Sequence, residues 1–303
     1  MKIAITGDNH LDFLPSRDLV NSFYKAIAKH NPAVTINLGD TTNGWLNNQY
    51  KSVGGILGDL YVLGNHDIWS PHAESRRKPD ESLAVTIKKL SHLSLQPLEK
   101  SFTDKNTVVT FSEEDCVFVG TMGFPDFSHP IFIMPKEFYN TKGCTNDTTF
   151  IDLTLGWLHY TKVLLAAFGQ RLHKAVATNC TDVVVATHYP IFEGQYRISS
   201  DDISAYFFCH EAGMMVKKIG KAHPNKRFWC FAAHAHDYCR GHPVMETDNI
   251  LSFGMQADYG KLTFSLFNTD NGFDQDFETL WFDKPPEWAV ARFCPLTNHV
   301  SVF

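Results

Sequence analysis

Short apolar runs recur along the chain, and several end in a tight group of polar side chains. Ile3-Ala4-Ile5-Thr6-Gly7 leads into Asp8-Asn9-His10, and Ala33-Val34-Thr35-Ile36-Asn37-Leu38 leads into Gly39-Asp40. Leu60-Tyr61-Val62-Leu63 leads into Gly64-Asn65-His66-Asp67. Val183-Val184-Val185-Ala186-Thr187 ends at His188, and Phe228-Trp229-Cys230-Phe231-Ala232-Ala233 ends at His234-Ala235-His236. Runs this short, rich in β-branched and aromatic residues, predict strands buried on both faces.

Between them the period changes. Leu19, Val20, Phe23 and Ile27 fall on one face of a helix opened by Pro15-Ser16 and closed before Pro32, which predicts a βαβ unit. A polar stretch over 70–81 precedes a second helix near 82–93. Residues 107–111 and 116–120 read as a hairpin. Trp157, Thr161, Leu165, Phe168, Leu172 and Val176 give helical spacing over 154–178. Alternating strands near 250–254, 261–268 and 277–282 suggest an antiparallel part. The fold class is α/β, with two sheets face to face and helices outside. Because the polar groups after the strands run from Asp8 to His236, any cut before His236 would divide them, so residues 1–303 read as one domain. Two stretches, 124–150 and 192–221, are expected to be lid-like insertions; the first is rich in aromatics and proline without clean periodicity.

In a parallel α/β sheet, functional groups gather just beyond the carboxyl ends of the strands. Five strand ends here bring carboxylates, one amide and imidazoles, which is the donor set of a dinuclear metal site. Taken singly, Asp8-x-His10 is an ordinary polar loop and Gly39-Asp40 an ordinary turn. Their conjunction, each after a strand and in this order, is what carries the reading.

These motifs resemble the calcineurin-like metallophosphoesterase superfamily, whose signature runs Asp-x-His, Gly-Asp, Gly-Asn-His-Asp/Glu, His, Gly-His-x-His. The resemblance covers about residues 1–240, with Ala233 standing where the family usually has Gly. It implies a four-layer α-β-β-α sandwich of two mixed sheets. It also implies that Asp8, His10, Asp40 and His236 hold one metal, and that Asp40, Asn65, His188 and His234 hold a second, with Asp40 bridging. His66 would be the proton donor, oriented by Asp67, which would also offset the pKa-lowering effect of the cations. On geometry alone, His66 as a further ligand stays open.

Phosphoester hydrolysis needs an in-line nucleophile and stabilised charge on the phosphoryl oxygens. Two divalent cations about 3.5–4 Å apart serve both ends, with a deprotonated water shared between them as nucleophile. Oxygen and imidazole donors without thiolate suit Mn²⁺ first, with Fe or Zn²⁺ as alternatives. With Asp8 and Asp40 the only carboxylates among the seven ligands, the loaded site keeps positive charge for an anionic substrate.

The formal net charge of −6 and pI near 6.2 argue against a broad grip on duplex nucleic acid. The basic runs Arg76-Arg77-Lys78, Lys217-Lys218 and Lys226-Arg227 read as solvated faces. Seven scattered cysteines without a Cys-x-x-Cys pair fit reduced thiols. No run approaches the roughly 20 apolar residues of a membrane span, and the first strand begins too early for a removable leader. The expected location is cytoplasmic, unless the chain is exported by a route needing no N-terminal signal.

The expected activity is metal-dependent hydrolysis of a small phosphomonoester or phosphodiester, with a nucleotide the favoured kind. Protein phosphatases of the superfamily carry an Arg after Gly-Asp and end the third motif in Glu; here Thr41-Thr42-Asn43 follows Asp40, and Asp67 follows His66. The superfamily's nucleases share Gly-Asn-His-Asp but sit badly with the acidic balance. A scaffold that kept the fold without the chemistry should have lost a ligand or His66, and none is missing.

Overall fold

The computed structural model describes residues 1–11, 17–42, 58–70, 77–90, 96–128, 147–153, 155–196, 207–236, 243–255, 257, 262–273, 278–282, 291–294 and 299–302. In chain order its elements begin with β1 (Lys2–Thr6), α1 (Arg17–Lys29), β2 (Val34–Asn37) and β3 (Leu60–Tyr61). The short helix α2 (Asn65–Ile68) and α3 (Pro79–Leu90) lead to β4 (Gln96–Pro97), β5 (Val109–Phe111) and β6 (Cys116–Thr121). Next come the one-turn α4 (Asp147–Phe150), α5 (Trp157–Val176), β7 (Asp182–Thr187), α6 (His210–Ala222) and β8 (Arg227–Ala232). Strands β9 (Val244–Thr247), β10 (Ile250–Gly254), β11 (Leu262–Asn268), β12 (Glu278–Phe282), β13 (Ala291–Cys294) and β14 (His299–Val302) follow.

Two mixed six-stranded sheets result. The first runs β12-β11-β1-β2-β3-β4, with β1 to β4 mutually parallel and β11 and β12 joining antiparallel. The second runs β5-β6-β7-β8-β10-β9, with β6, β7, β8 and β10 parallel and antiparallel edges at β5 and β9.

The two-residue period of a strand explains the layering. On β1, Ile3 and Ile5 join Ile36, Phe118, Val184, Ala186, Trp229, Phe231 and Phe253 in the core between the sheets, while Ala4 packs outward with Phe23 and Ile27 of α1. On β7, Val184 and Ala186 face that inner core, and Val183 and Val185 meet Leu165, Phe168 and Leu172 of α5 and Val216 of α6. Helix, sheet, sheet, helix is therefore the order of layers, the α/β sandwich the sequence predicted.

The departures have local causes. Ile250–Gly254 does not join the antiparallel block: it pairs parallel to β8 in the second sheet, and only β11 and β12 complete the first. Alternation cannot decide this, because every residue of β10 is buried. The five strands bearing polar clusters are split, three in one sheet and two in the other, so the groups meet across the ends of two sheets. The 82–93 helix starts earlier, at Pro79, where a fixed φ suits a first turn. Of the two lid-like stretches, 129–146 and 197–206 lie outside the described residues, as does Arg76. The second stretch is not irregular beyond them, since His210–Ala222 forms α6, with Ala212, Val216 and Ile219 in the core. No described helix is long and apolar enough to cross a membrane. Cys116, Cys180, Cys209 and Cys230 are buried free thiols.

Candidate metal centre

The loops after β1 and β2 run side by side. The Asp8 N–H donates to Gly39 O at 2.9 Å, His10 N–H to Asp40 O at 3.0 Å, and Leu11 N–H to Thr41 O at 2.9 Å. The third loop crosses against them where two glycines make room. Gly39 has φ +98°, and a Cβ on Gly64 would stand 2.0 Å from Asp40 Oδ1. In that gap the His66 N–H at the start of α2 donates to Asp40 Oδ1 at 2.9 Å. Across the interface, the loop after β8 is tied to the one after β7 by the Ala233 N–H to His188 O bond at 2.9 Å. Ala233 is accommodated in the family's Gly position because Gly7 faces it: a Cβ on Gly7 would lie 3.1 Å from the Ala233 methyl.

All seven expected ligands converge there. Asp8, His10 and His236 offer donor atoms within 4.8 Å of one another, as do Asp40, His188 and His234. Asp40 reaches both groups: its Oδ2 is 3.9 Å from His10 Nε2 and its Oδ1 is 3.4 Å from His188 Nε2. Asn65 Oδ1 stands 3.0 Å from His188 Nε2. His66 Nε2 is 3.8 Å from Asp40 Oδ2, and His10, Asp40 and His66 form a third convergent set. The His66 side chain is 14 % exposed where those of His10 and His188 are 0 %, so it borders the open side, as does the partly exposed His236.

The donor set fits cations. His188 Nδ1 is 2.9 Å from the Leu38 carbonyl, which can only accept, so the ring proton sits on Nδ1 and Nε2 presents a lone pair. That lone pair faces the Asn65 carbonyl oxygen at 3.0 Å and His234 Nδ1 at 3.0 Å. Burial lowers the His188 pKa, which disfavours relieving the contact with a second proton, and the charge of Asp8 only partly opposes it. A cation among these atoms turns the repulsive contact of that lone pair with the Asn65 carbonyl oxygen into coordination. Asp8 points the same way: both its oxygens are buried, and no side chain of the described residues hydrogen-bonds them. Burial, reinforced by Asp40 and opposed by His188 and the His234 backbone, pushes its carboxyl up to about 8. A buried carboxylate in that position is costly unless it meets a positive charge.

Asp67 has different partners from those expected. Its Oδ2 accepts from the Gly64 N–H at 2.9 Å, and its Oδ1 from the Thr41 and Thr42 N–H groups at 2.9 and 3.2 Å. It ties the third loop to the second through backbone amides and does not hydrogen-bond the His66 ring. Nor does it raise the His66 pKa. Burial, then His188 and His236, pushes that imidazole down to about 3, while burial and Asp40 push Asp67 up to about 7.

The His66 ring is held instead by Trp69, stacked at 3.8 Å between centroids and 25° between planes. The i, i+3 spacing of His66 and Trp69 places both on one side of a helical turn, a signal legible in the sequence. Asp147 is buried beside them and accepts from Asn65 Nδ2 at 3.0 Å and Trp69 Nε1 at 2.6 Å. It lies 82 positions from Asn65, in a stretch without periodicity, and nothing in the sequence marks it. Tyr189 and Phe207 close the other side against His234, with centroids at 4.0 and 5.0 Å.

Residues 1–242 match the model of the calcineurin-like phosphoesterase family. Among solved structures, the chain is similar to a 5'-nucleotidase from Candida albicans SC5314, with 12 % identity and a TM-score of 0.47 over 92 % of this chain and 51 % of that one. It thus spans about half the length of that protein. It is also similar to a dimetal phosphatase from Danio rerio, with 9 % identity and a TM-score of 0.44 over 93 % of this chain and 98 % of that one. No curated protein sequence matches it. With the family model covering most of its length, and with carboxylates and imidazoles gathered in groups that could hold metal ions, the chain belongs to the calcineurin-like phosphoesterase family.

Proposed function

We propose that the chain hydrolyses a small phosphoester, a nucleotide being the favoured class, at a dinuclear centre. The observation that carries this reading is Asp40, whose two oxygens address two separate sets of imidazoles. Asp8, His10 and His236 would hold one cation, Asn65, His188 and His234 the other, and Asp40 both. Two bound cations, Mn²⁺ being the first candidate, supply an activated water and stabilise phosphoryl charge. His66 stands at the accessible rim of the cluster and would pass its Nε2 proton to the departing oxygen. Because burial holds its pKa low, that proton must be retained by the negative charge of bound substrate, a role Asp67 cannot fill while it is occupied with backbone amides. Phe207, partly exposed, offers a ring at the rim for a nucleobase. The −6 net charge provides little for a polyanion such as duplex DNA.

A second reading has one observation in its favour. The convergence of His10, Asp40 and His66 would suit His66 as a further metal ligand.

The test of substrate class is kcat/KM with Mn²⁺ for aryl phosphomonoesters, aryl phosphodiesters, cyclic and linear nucleotides, phosphopeptides and DNA at one ionic strength. Nucleotide esters are expected to turn over fastest. Faster turnover of phosphopeptides or DNA than of every small ester would overturn the substrate class and leave the metal chemistry standing.

A further inference from the structure

Asp147 Oδ1 receives two donors at once, the Asn65 amide at 3.0 Å and the Trp69 indole at 2.6 Å. An indole N–H can only donate, so this oxygen is an acceptor, and the group Asn65 turns to it must be the NH₂. The two ends of an asparagine amide are nearly identical in shape but opposite in chemistry. Fixing the NH₂ toward Asp147 commits the carbonyl oxygen to the side of His188 Nε2, 3.0 Å away, the only end of the amide that can bind a cation. The same oxygen holds the indole that stacks on His66.

The turn carrying Asp147 is itself anchored to this region. The Ser70 N–H donates to Phe150 O at 3.0 Å, Phe150 stacks on Trp69 with centroids 4.9 Å apart, and Ile151 bridges to Arg77. Asp147 is 6 % exposed, and its partners leave it no room to swing to solvent without breaking both bonds.

We propose that Asp147 is a positioning residue that sets the orientation of the Asn65 amide for metal binding and fixes the Trp69 platform behind His66. This rests on Asn65 being a ligand, as proposed above. Residues that orient metal ligands typically change affinity by about 10–100-fold when replaced.

The experiment is Mn²⁺ titration of apoprotein by calorimetry, with electron paramagnetic resonance of the spin-coupled pair, on the parent and on Asp147→Asn, Asp147→Ala, Trp69→Phe and Asn65→Ala. Circular dichroism checks that each is folded. Both Asp147 variants are expected to bind one equivalent at parental affinity and the other about 10–100-fold more weakly, with the coupled signal lost at subsaturating metal. Trp69→Phe leaves the carboxylate–amide bond in place. It is expected to hold both equivalents normally while kcat falls several-fold at unchanged KM. Parental affinity for both equivalents in a folded Asp147 variant overturns the inference, provided Asn65→Ala loses one. If Asn65→Ala also keeps both, the ligand assignment fails instead. Should neither Asp147 variant fold, loss of an equivalent in Trp69→Phe overturns the inference and retention of both with lowered kcat supports it.

Discussion

Asp8, His10, Asp40, His234 and His236 all adopt positive φ, between 38° and 67°. Left-handed backbone in non-glycine residues costs of order 1 kcal/mol each and gathers where function over-determines the conformation. Asp and His tolerate that region better than most side chains, so the residue types that bind metal are also those that can turn sharply off a strand end. Asp40 combines this turn with the only carboxylate, among the described residues, whose two oxygens address both sets of imidazoles. Asp40→Asn is therefore expected to weaken both metals and to lower the rate more than Asp8→Asn or His188→Ala, measured by metal content and kcat on the same preparations. A loss confined to one equivalent would remove Asp40 from the bridge. For His66→Ala, two equivalents should remain bound, with esters of poor leaving groups slowed by about 10²–10⁴-fold and activated aryl esters much less. Loss of an equivalent in that variant would make His66 a ligand.

Among the elements, the strands bearing the polar clusters were legible because burial on both faces leaves an uninterrupted apolar run. The 107–120 hairpin was legible too, and it forms with Phe111 opposite Cys116. What alternation could not show was sheet membership, as β10 demonstrates. The crossing from the first sheet to the second passes through the loop between β4 and β5, and it is built around one carboxylate. Asp104 accepts from the Lys100 and Asn106 N–H groups at 2.9 Å and from the Thr107 hydroxyl at 2.5 Å. Its own carbonyl accepts from Arg171 of α5, which also contacts Glu99 at 3.3 Å. Burial opposes ionisation of Asp104, but the Thr107 hydroxyl, the two amides and Arg171 together hold its pKa below the ordinary value. A depressed carboxylate pKa adds stability above the unfolded value of about 3.9, and that stability disappears as pH falls through the folded value. Asp104→Asn should thus be less stable than the parent at neutral pH, with the gap closing as pH falls through the folded carboxyl value in urea unfolding. A gap that stays constant with pH would contradict this.

For the whole molecule, the order of the motifs along the chain carried the family and the sandwich, and it named the seven candidate ligand residues that the fold gathers in one place. That order survives because each ligand is fixed by the strand before it. Asp147 and the true partners of Asp67 depend on which loops touch, and no local pattern encodes that. Each set of donors draws on both sheets: Asp8, His10, Asp40 and Asn65 follow strands of the first, and His188, His234 and His236 follow strands of the second. A cation bound between them links the two sheets and should raise the stability of the whole fold with the logarithm of its affinity. The most direct measurement is a titration of exhaustively chelated protein with Mn²⁺, following bound metal and hydrolysis of an aryl phosphoester in the same samples. The expected result is no turnover in the apoprotein, binding that saturates at two equivalents per chain, and activity that rises with the second. Full activity after chelation, or saturation at a single equivalent with full activity, would contradict the dinuclear centre.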